Sequence, residues 1–172
     1  MELQTERLLI RSLAAEDAPA LAAIWSDPDV TRFMGGPRDY EQTCRDLLSE
    51  AAESSTDPAD TLYPVIERSS GRIVGDCGFL EKDVEGETET ELIYVFAKAA
   101  WGRGYASEAA RALCTFAADR LQLPRLIALI DPENRASARV AEKAGMRFWK
   151  QTIRPTGKRM QVYLKELTLK RV

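Results

Sequence analysis

The chain has 172 residues, 45% of them hydrophobic and 30% charged, which is the composition of one globular domain with enough length for a full core. Its formal charge of −3 comes without a basic tract, which argues against broad nucleic-acid binding, and no apolar run approaches the roughly 18 residues of a membrane span. It has no histidine, so Ser-His, Cys-His and His-metal mechanisms are excluded, and acid–base work falls to carboxylates, Tyr, Cys, Ser, Lys or water. Cys44, Cys77 and Cys114 are too few and too scattered for a disulfide framework or a zinc site, and no metal is expected. The start, Met-Glu-Leu-Gln-Thr-Glu, shows neither a basic opening nor an apolar segment, and the expected location is the cytoplasm.

The first expected element is a strand at Leu8–Ser12. A helix opened by Ala15-Glu16-Asp17 follows, with Leu21, Ile24 and Trp25 on one face, and Asp27-Pro28 ends it. A second helix covers Tyr40 to Glu53, with Cys44, Leu47, Leu48 and Ala51 at helical spacing, before a loop at Ser54–Asp60. Thr61–Arg68 and Arg72–Glu81 read as a hairpin over Ser69-Ser70-Gly71, and Glu89–Phe96 as a further strand. The acidic run Glu81, Asp83, Glu85, Glu87, Glu89 and Glu91 reads as a solvated hairpin tip ahead of attraction for a cationic acceptor. Ser107–Leu121 is expected as a helix with its apolar stripe at Ala106, Ala110, Leu113, Cys114, Ala117 and Leu121, stopped before Pro124. Arg125–Asp131, apolar on both faces, reads as a central buried strand. Asn134–Ala144 is a helix capped by Asn134 and closed by Gly145, and two strands follow at Arg147–Ile153 and Lys158–Thr168. These periodicities define a mixed α/β chain, read as one domain over 1–172.

Two segments carry the chemistry. Trp101-Gly102-Arg103-Gly104-Tyr105-Ala106-Ser107-Glu108-Ala109 is a glycine loop running into an alanine-rich helix. Glycines let backbone N–H groups approach a ligand, and the helix adds its positive dipole end, which suits a phosphate or pyrophosphate. The dinucleotide fingerprint would need a third glycine where Ser107 stands, and the nucleoside-triphosphate loop would need Lys where Tyr105 stands. The second segment runs Asn134-Arg-Ala-Ser137-Ala-Arg-Val-Ala-Glu142-Lys143-Ala-Gly145-Met146.

Together these segments resemble the GNAT acetyltransferases, in the branch similar to the ribosomal-protein N-acetyltransferases. Thr5-Glu6-Arg7-Leu8-Leu9-Ile10-Arg11 and Ser26-Asp27-Pro28-Asp29-Val30 are also similar to that branch, while Trp101 stands where the general motif has Gln or Arg. The resemblance implies a central, mostly antiparallel sheet splayed at its middle, with helices on both faces. It implies acetyl-CoA as cosubstrate, its pantetheine arm against the backbone of Val95 and Phe96, and its pyrophosphate in the loop of Trp101, Gly102, Arg103, Gly104, Tyr105, Ala106 and Ser107. Asn134 would bond the pantetheine amide, cap its helix, or both. The tyrosine that many GNAT enzymes place seven residues after the Asn is Ala141 here, and Ser137 would serve the leaving thiolate instead, or else bond only local backbone. For the base, Glu91 is preferred and Asp76 is second; either could equally be a carboxylate on a solvated sheet face, and water alone could suffice. Phe33, Met34 and Asp76 are the expected acceptor-side residues. The implied activity is N-acetylation of a protein N-terminus or a small-molecule amine, as a monomer or homodimer. The alternative is a non-catalytic acyl-CoA-binding regulatory module.

Overall fold

Pairing begins at the N-terminus, where β1 (Glu2–Gln4), which the sequence did not announce, lies antiparallel to β2 (Leu8–Arg11). The protein is described as a computed structural model covering residues 1–53 and 57–169, so the loop expected at Ser54–Asp60 lies partly outside the described residues. Leu8 and Ile10 of β2 are fully buried. Arg11 ends that strand by holding the buried Asp17 with two bonds of 2.6 and 2.9 Å, and Ala14 N–H donates to the same carboxylate at 2.8 Å. This clamp sets a single 3₁₀ turn, Ala15–Asp17, from which α1 (Ala18–Trp25) departs with Pro19 in its first turn.

Helix α1 buries Leu21, Ile24 and Trp25, as its spacing requires. Helix α2 (Tyr40–Ala52) starts where Asp39 accepts Gln42 N–H at 2.8 Å. Of its expected inward stripe, Cys44, Leu47 and Ala51 are half-buried and only Leu48 departs. Thr43 is its buried residue, Leu47 is half-buried, and Leu48 is 45% exposed. The helix therefore packs through the i, i+4 pair Thr43–Leu47, and Leu48 falls off that face.

The middle of the chain is a meander of β3 (Leu62–Glu67), β4 (Arg72–Val84) and β5 (Glu87–Phe96). Strands β4 and β5 run past their expected ends to the turn at Glu85-Gly86. The acidic run is thus not uniformly a solvated tip. Glu81, Asp83, Glu85 and Glu87 are exposed, but Glu89 and Glu91 are buried. Glu89 meets Arg125 at 2.5 and 3.0 Å, so a cation within the fold neutralises it.

The second half follows the expected order: α3 (Tyr105–Asp119), β6 (Arg125–Ile130), α4 (Arg135–Lys143), β7 (Arg147–Ile153) and β8 (Arg159–Glu166). Helix α3 opens two residues before the expected start, because Gly104 takes the capping position. One sheet orders all eight strands as β1-β2-β3-β4-β5-β6-β8-β7. Adjacent strands are antiparallel except β5 and β6, which are parallel and register at a single pair, Glu91 with Ile127. Side chains alternate across the sheet. Val95 packs with Leu21, Ile24 and Trp25 of α1, while Cys77, Phe79, Leu92 and Phe96 pack with Ala109, Ala110 and Leu113 of α3 on the other face.

Close approach of β4 and β5 is enforced at Gly75, where a Cβ would fall 2.2 Å from the Val95 carbonyl oxygen. Gly75→Ala is expected to lose about 1–3 kcal/mol of stability in urea denaturation, because backbone rather than a flexible side chain must move. An unchanged midpoint would mean that the strands have slack there.

Candidate active site

Past the Glu91–Ile127 pair, β5 and β6 diverge, and a cavity of about 600 Å³ opens between them. Its walls come from β5, β6, the 101–107 loop, α4 and the turn after α1. Hydrogen-bonding direction alternates along β5. Ala97 N–H donates to Val74 O, so Ala97 and Val95 turn their peptide groups toward β4, and Tyr94 and Phe96 turn theirs toward the gap. The expected backbone pair is thereby divided: Phe96 faces the gap, and Val95 does not. The Phe96 carbonyl already accepts the Trp101 indole N–H at 2.8 Å.

The glycine loop takes the form its composition requires. Gly102 and Gly104 have φ of 74° and 82°, the left-handed region that side chains disfavour. A Cβ on Gly102 would meet nothing within 4 Å, and one on Gly104 would meet only the Arg7 guanidinium at 3.4 Å, so the loop's outer surface is open to a ligand. Gly104 precedes Tyr105 at the start of the fifteen-residue α3, whose first N–H groups have no helical partner. Tyr105 and Ser107 are buried beneath, and Ala106 is half-buried.

A polar network fixes this loop to the rest of the sheet. Glu108 accepts from Thr5 Oγ1 at 2.6 Å and from Arg7 N–H and Nε at 2.9 and 2.8 Å. Arg7 also donates to Arg103 O at 2.8 Å. The guanidinium groups of Arg7 and Arg103 each lie 4.7 Å from the Tyr105 ring centre, and the Tyr105 hydroxyl donates to Glu67. Arg103, expected in the pyrophosphate loop, has its guanidinium engaged by Glu67 at 2.7 Å.

Glu91 sits where the strands part. It is 7% exposed, and its Oε1 accepts Leu129 N–H from β6 at 3.1 Å. Burial pushes its carboxyl up to about 7, against the pull of the Leu129 N–H and of Lys82 and Arg154. Such a carboxyl changes protonation at neutral pH, which suits a general base.

On the opposite face of β5 stands Tyr94, a residue the sequence reading did not select. Ser137 Oγ donates to the Tyr94 hydroxyl at 3.1 Å, and that hydroxyl donates to Ser137 O at 2.9 Å. Burial raises Tyr94 to about 12, so it stays a neutral donor. Asn134 caps α4 by accepting Ser137 N–H at 3.1 Å, which fixes the serine in the first turn. Ala141 is fully buried in the core. The hydroxyl beside Ser137 therefore comes from the strand rather than from α4. The available signal was a tyrosine on the face opposite Glu91, in a run otherwise apolar.

Phe33 and Met34 line the far mouth of the cavity, and Lys158 fastens that turn by donating to Phe33 O at 2.9 Å while pairing with Asp131 at 2.9 Å. Asp76 is not brought to this cavity. It lies on β4, opposite Val95 and beneath α1, where its Oδ2 accepts the Trp25 indole N–H at 2.8 Å. That placement, one strand away from the gap, removes it as second choice for the base and as a lining residue of this acceptor path.

A glycine loop at a helix start, beside two strands that join at one residue pair and part beyond it, has a shape suited to an extended, phosphate-bearing ligand. The sequence matches the acetyltransferase (GNAT) domain over residues 7–147, and the chain belongs to that family of acetyl-transferring enzymes, which use acetyl-CoA. It is 36% identical over 163 residues to the Bacillus subtilis protein YkkB, covering 94% of each chain. A crystal structure of an acetyltransferase from Agrobacterium tumefaciens is 31% identical, with a TM-score of 0.79 over 96% of this chain and 94% of that one. The fold is also that of RimL, a ribosomal L7/L12 α-N-protein acetyltransferase solved with coenzyme A, at a TM-score of 0.74 and 16% identity over 97% and 98% of the two chains.

The loop geometry gives a direct test. Gly104→Val places a β-branched side chain at φ 82° on the open outer surface of the loop. Calorimetry should show coenzyme A affinity reduced at least about tenfold, equivalent to 1.4 kcal/mol. Unchanged affinity would remove this loop from the binding surface.

Proposed function

We propose that this enzyme transfers acetyl directly from acetyl-CoA to a primary amine, either a protein N-terminus or a small-molecule amine. The observation that carries this reading is the arrangement at the parted strands. A buried carboxylate, Glu91, meets the gap from one face of β5, and the Ser137–Tyr94 hydroxyl pair meets it from the other.

In this reading Phe96 and Tyr94 offer peptide groups to the pantetheine arm, and the 102–106 backbone receives the pyrophosphate. Asn134 Oδ1 caps α4, which leaves its side-chain N–H₂ to bond the arm. Phe33 and Met34 border the acceptor's entrance. Glu91 in its carboxylate form takes a proton from the acceptor ammonium. The neutral nitrogen then bonds to the thioester carbonyl carbon as the carbon–sulfur bond breaks. Of the two protons the ammonium loses on becoming an amide, one leaves through Glu91 to solvent and the other ends on the departing thiolate. Ser137 Oγ turns its hydrogen from the Tyr94 hydroxyl to that sulfur and steadies its charge, while the Tyr94 hydroxyl keeps the residue in place by its bond to Ser137 O. A module that only bound acyl-CoA would gain nothing from a buried carboxylate and an aligned hydroxyl pair, so the non-catalytic alternative is not favoured.

Turnover with a panel of amines, read as thiol release, tests the reading as a whole. Within it, Ser137→Ala should lower kcat by about 10- to 1000-fold with little change in acetyl-CoA affinity, because its bond strengthens as charge develops on sulfur. Tyr94→Phe should lower kcat by a smaller factor, since it acts through Ser137. Parental turnover in Ser137→Ala would leave that residue only its place in the first turn of α4.

The pH dependence follows from Glu91. With its pKa raised to about 7, the base form builds up as pH rises, and kcat/KM of the parent should climb through about pH 7. Glu91→Gln should lack that step and recover only near the acceptor's own pKa, about 8 for an α-amine and about 10.4 for a lysine. Superimposable pH–rate profiles of the two proteins would exclude Glu91 as the base.

A further inference from the structure

A second cavity, of about 290 Å³, lies beneath α1 and α2 and shares no lining residue with the first. At about 30 Å³ per water, it has room for a ligand of several non-hydrogen atoms. Asp76 lies in its wall and is 3% exposed. Its Oδ2 is satisfied by the Trp25 indole, but its Oδ1 is the one buried side-chain oxygen or nitrogen without a hydrogen bond among the described residues. A buried carboxylate oxygen without a donor is costly, and structures retain few of them.

Glu50 reaches the same cavity from α2, half-buried, and its charge acts on Asp76. Asp46 and Asp60 add negative charge at exposed positions of the wall. Arg38, the cation among the lining residues, acts on Asp76 through its charge, but it lies over the Trp25 ring at 3.7 Å from its centre and gives Asp76 Oδ1 no hydrogen bond. The site therefore calls for a positive ligand that carries N–H donors. A metal ion fits poorly, because no group of three or more His, Cys, Asp or Glu side chains is placed to hold one among the described residues. Leu21 and Leu47 supply apolar wall that suits an aliphatic stem.

We propose that this cavity is a binding site for a small primary alkylammonium ion, with its N–H groups on Asp76 Oδ1 and the Glu50 carboxylate and its stem against Leu21 and Leu47. Burial pushes the empty Asp76 carboxyl up to about 7, and a bound cation would draw it back down. The site lies apart from the proposed acceptor path and does not depend on the roles given to Glu91 or Ser137.

The chain has three tryptophans, Trp25, Trp101 and Trp149, so three indole N–H signals report on it by ¹⁵N NMR. Trp25→Phe assigns the signal that senses Asp76. Titration of the full chain with n-propylammonium chloride should shift that signal saturably, while n-propanol with equal sodium chloride should not. Asp76→Asn and Glu50→Gln should each weaken the affinity about tenfold or more. No saturable shift, an equal shift with propanol, or parental affinity in either folded variant would overturn the proposal. If Asp76→Asn fails to fold, Glu50→Gln, on the rim of α2, decides alone. Coenzyme A binding, followed separately at the Trp101 signal, reports on the acetyl-transfer reading without reference to this site.

Discussion

Strands β5 and β6 share one registered pair, Glu91 with Ile127, and most of what the site can do follows from that economy. Full pairing would close the sheet and cover the peptide groups of Tyr94 and Phe96. With no pairing, Glu91 could not lie against Leu129 N–H in a buried setting. A single registered pair joins the two halves of the sheet and leaves backbone on both sides of the gap. Elsewhere the sheet is tightly specified, with ten registered pairs between β4 and β5 and six between β6 and β8. The opening is thus a local feature between two rigid halves, which suits a surface that must hold a ligand in fixed geometry.

The separation of roles across β5 comes from the alternation of a strand. Glu91 and Tyr94 are three residues apart, so they project to opposite faces. The Glu91 side carries α1 and the turn of Phe33 and Met34, and the Tyr94 side carries α3 and α4. In the proposed reaction, a base on one face and a hydroxyl pair on the other would place the two ends of an acyl transfer on opposite sides of the bond being exchanged. Burial serves both groups differently: it brings the carboxyl into the neutral range and keeps the phenol protonated.

Features set by local chemistry were legible from the chain. Gly102 and Gly104 have the backbone their positions suggest, Asn134 caps α4, Gly145 closes it with φ 85°, and the apolar run Leu126–Ile130 is a central strand. Features that depend on which strands become neighbours were not. Glu89 and Glu91 look solvated in an acidic run, yet Arg125 and the β6 backbone bury them from 36 and 38 residues away. Tyr94 meets Ser137 across 43 residues, and the turn to that serine is visible only once α4 docks. Asp76 read as second choice to Glu91, another carboxylate on a strand, but the order of strands put it under α1. The partner of Arg103 in the loop, Glu67, lies on β3, 36 residues earlier in the chain. Each of these failures has one cause, a long-range contact that no local pattern encodes.

The central claim is that the parted strands hold the reacting bond between Glu91 and the Ser137–Tyr94 pair. A crystal structure with a bisubstrate analogue, coenzyme A joined through an acetyl link to an amine, tests it most directly. The account requires the sulfur within hydrogen-bond reach of Ser137 Oγ, the amine nitrogen on the Glu91 side of β5, and the pyrophosphate on the 102–106 backbone. A sulfur lying away from Ser137, or an amine entering from the α3–α4 face, would contradict it.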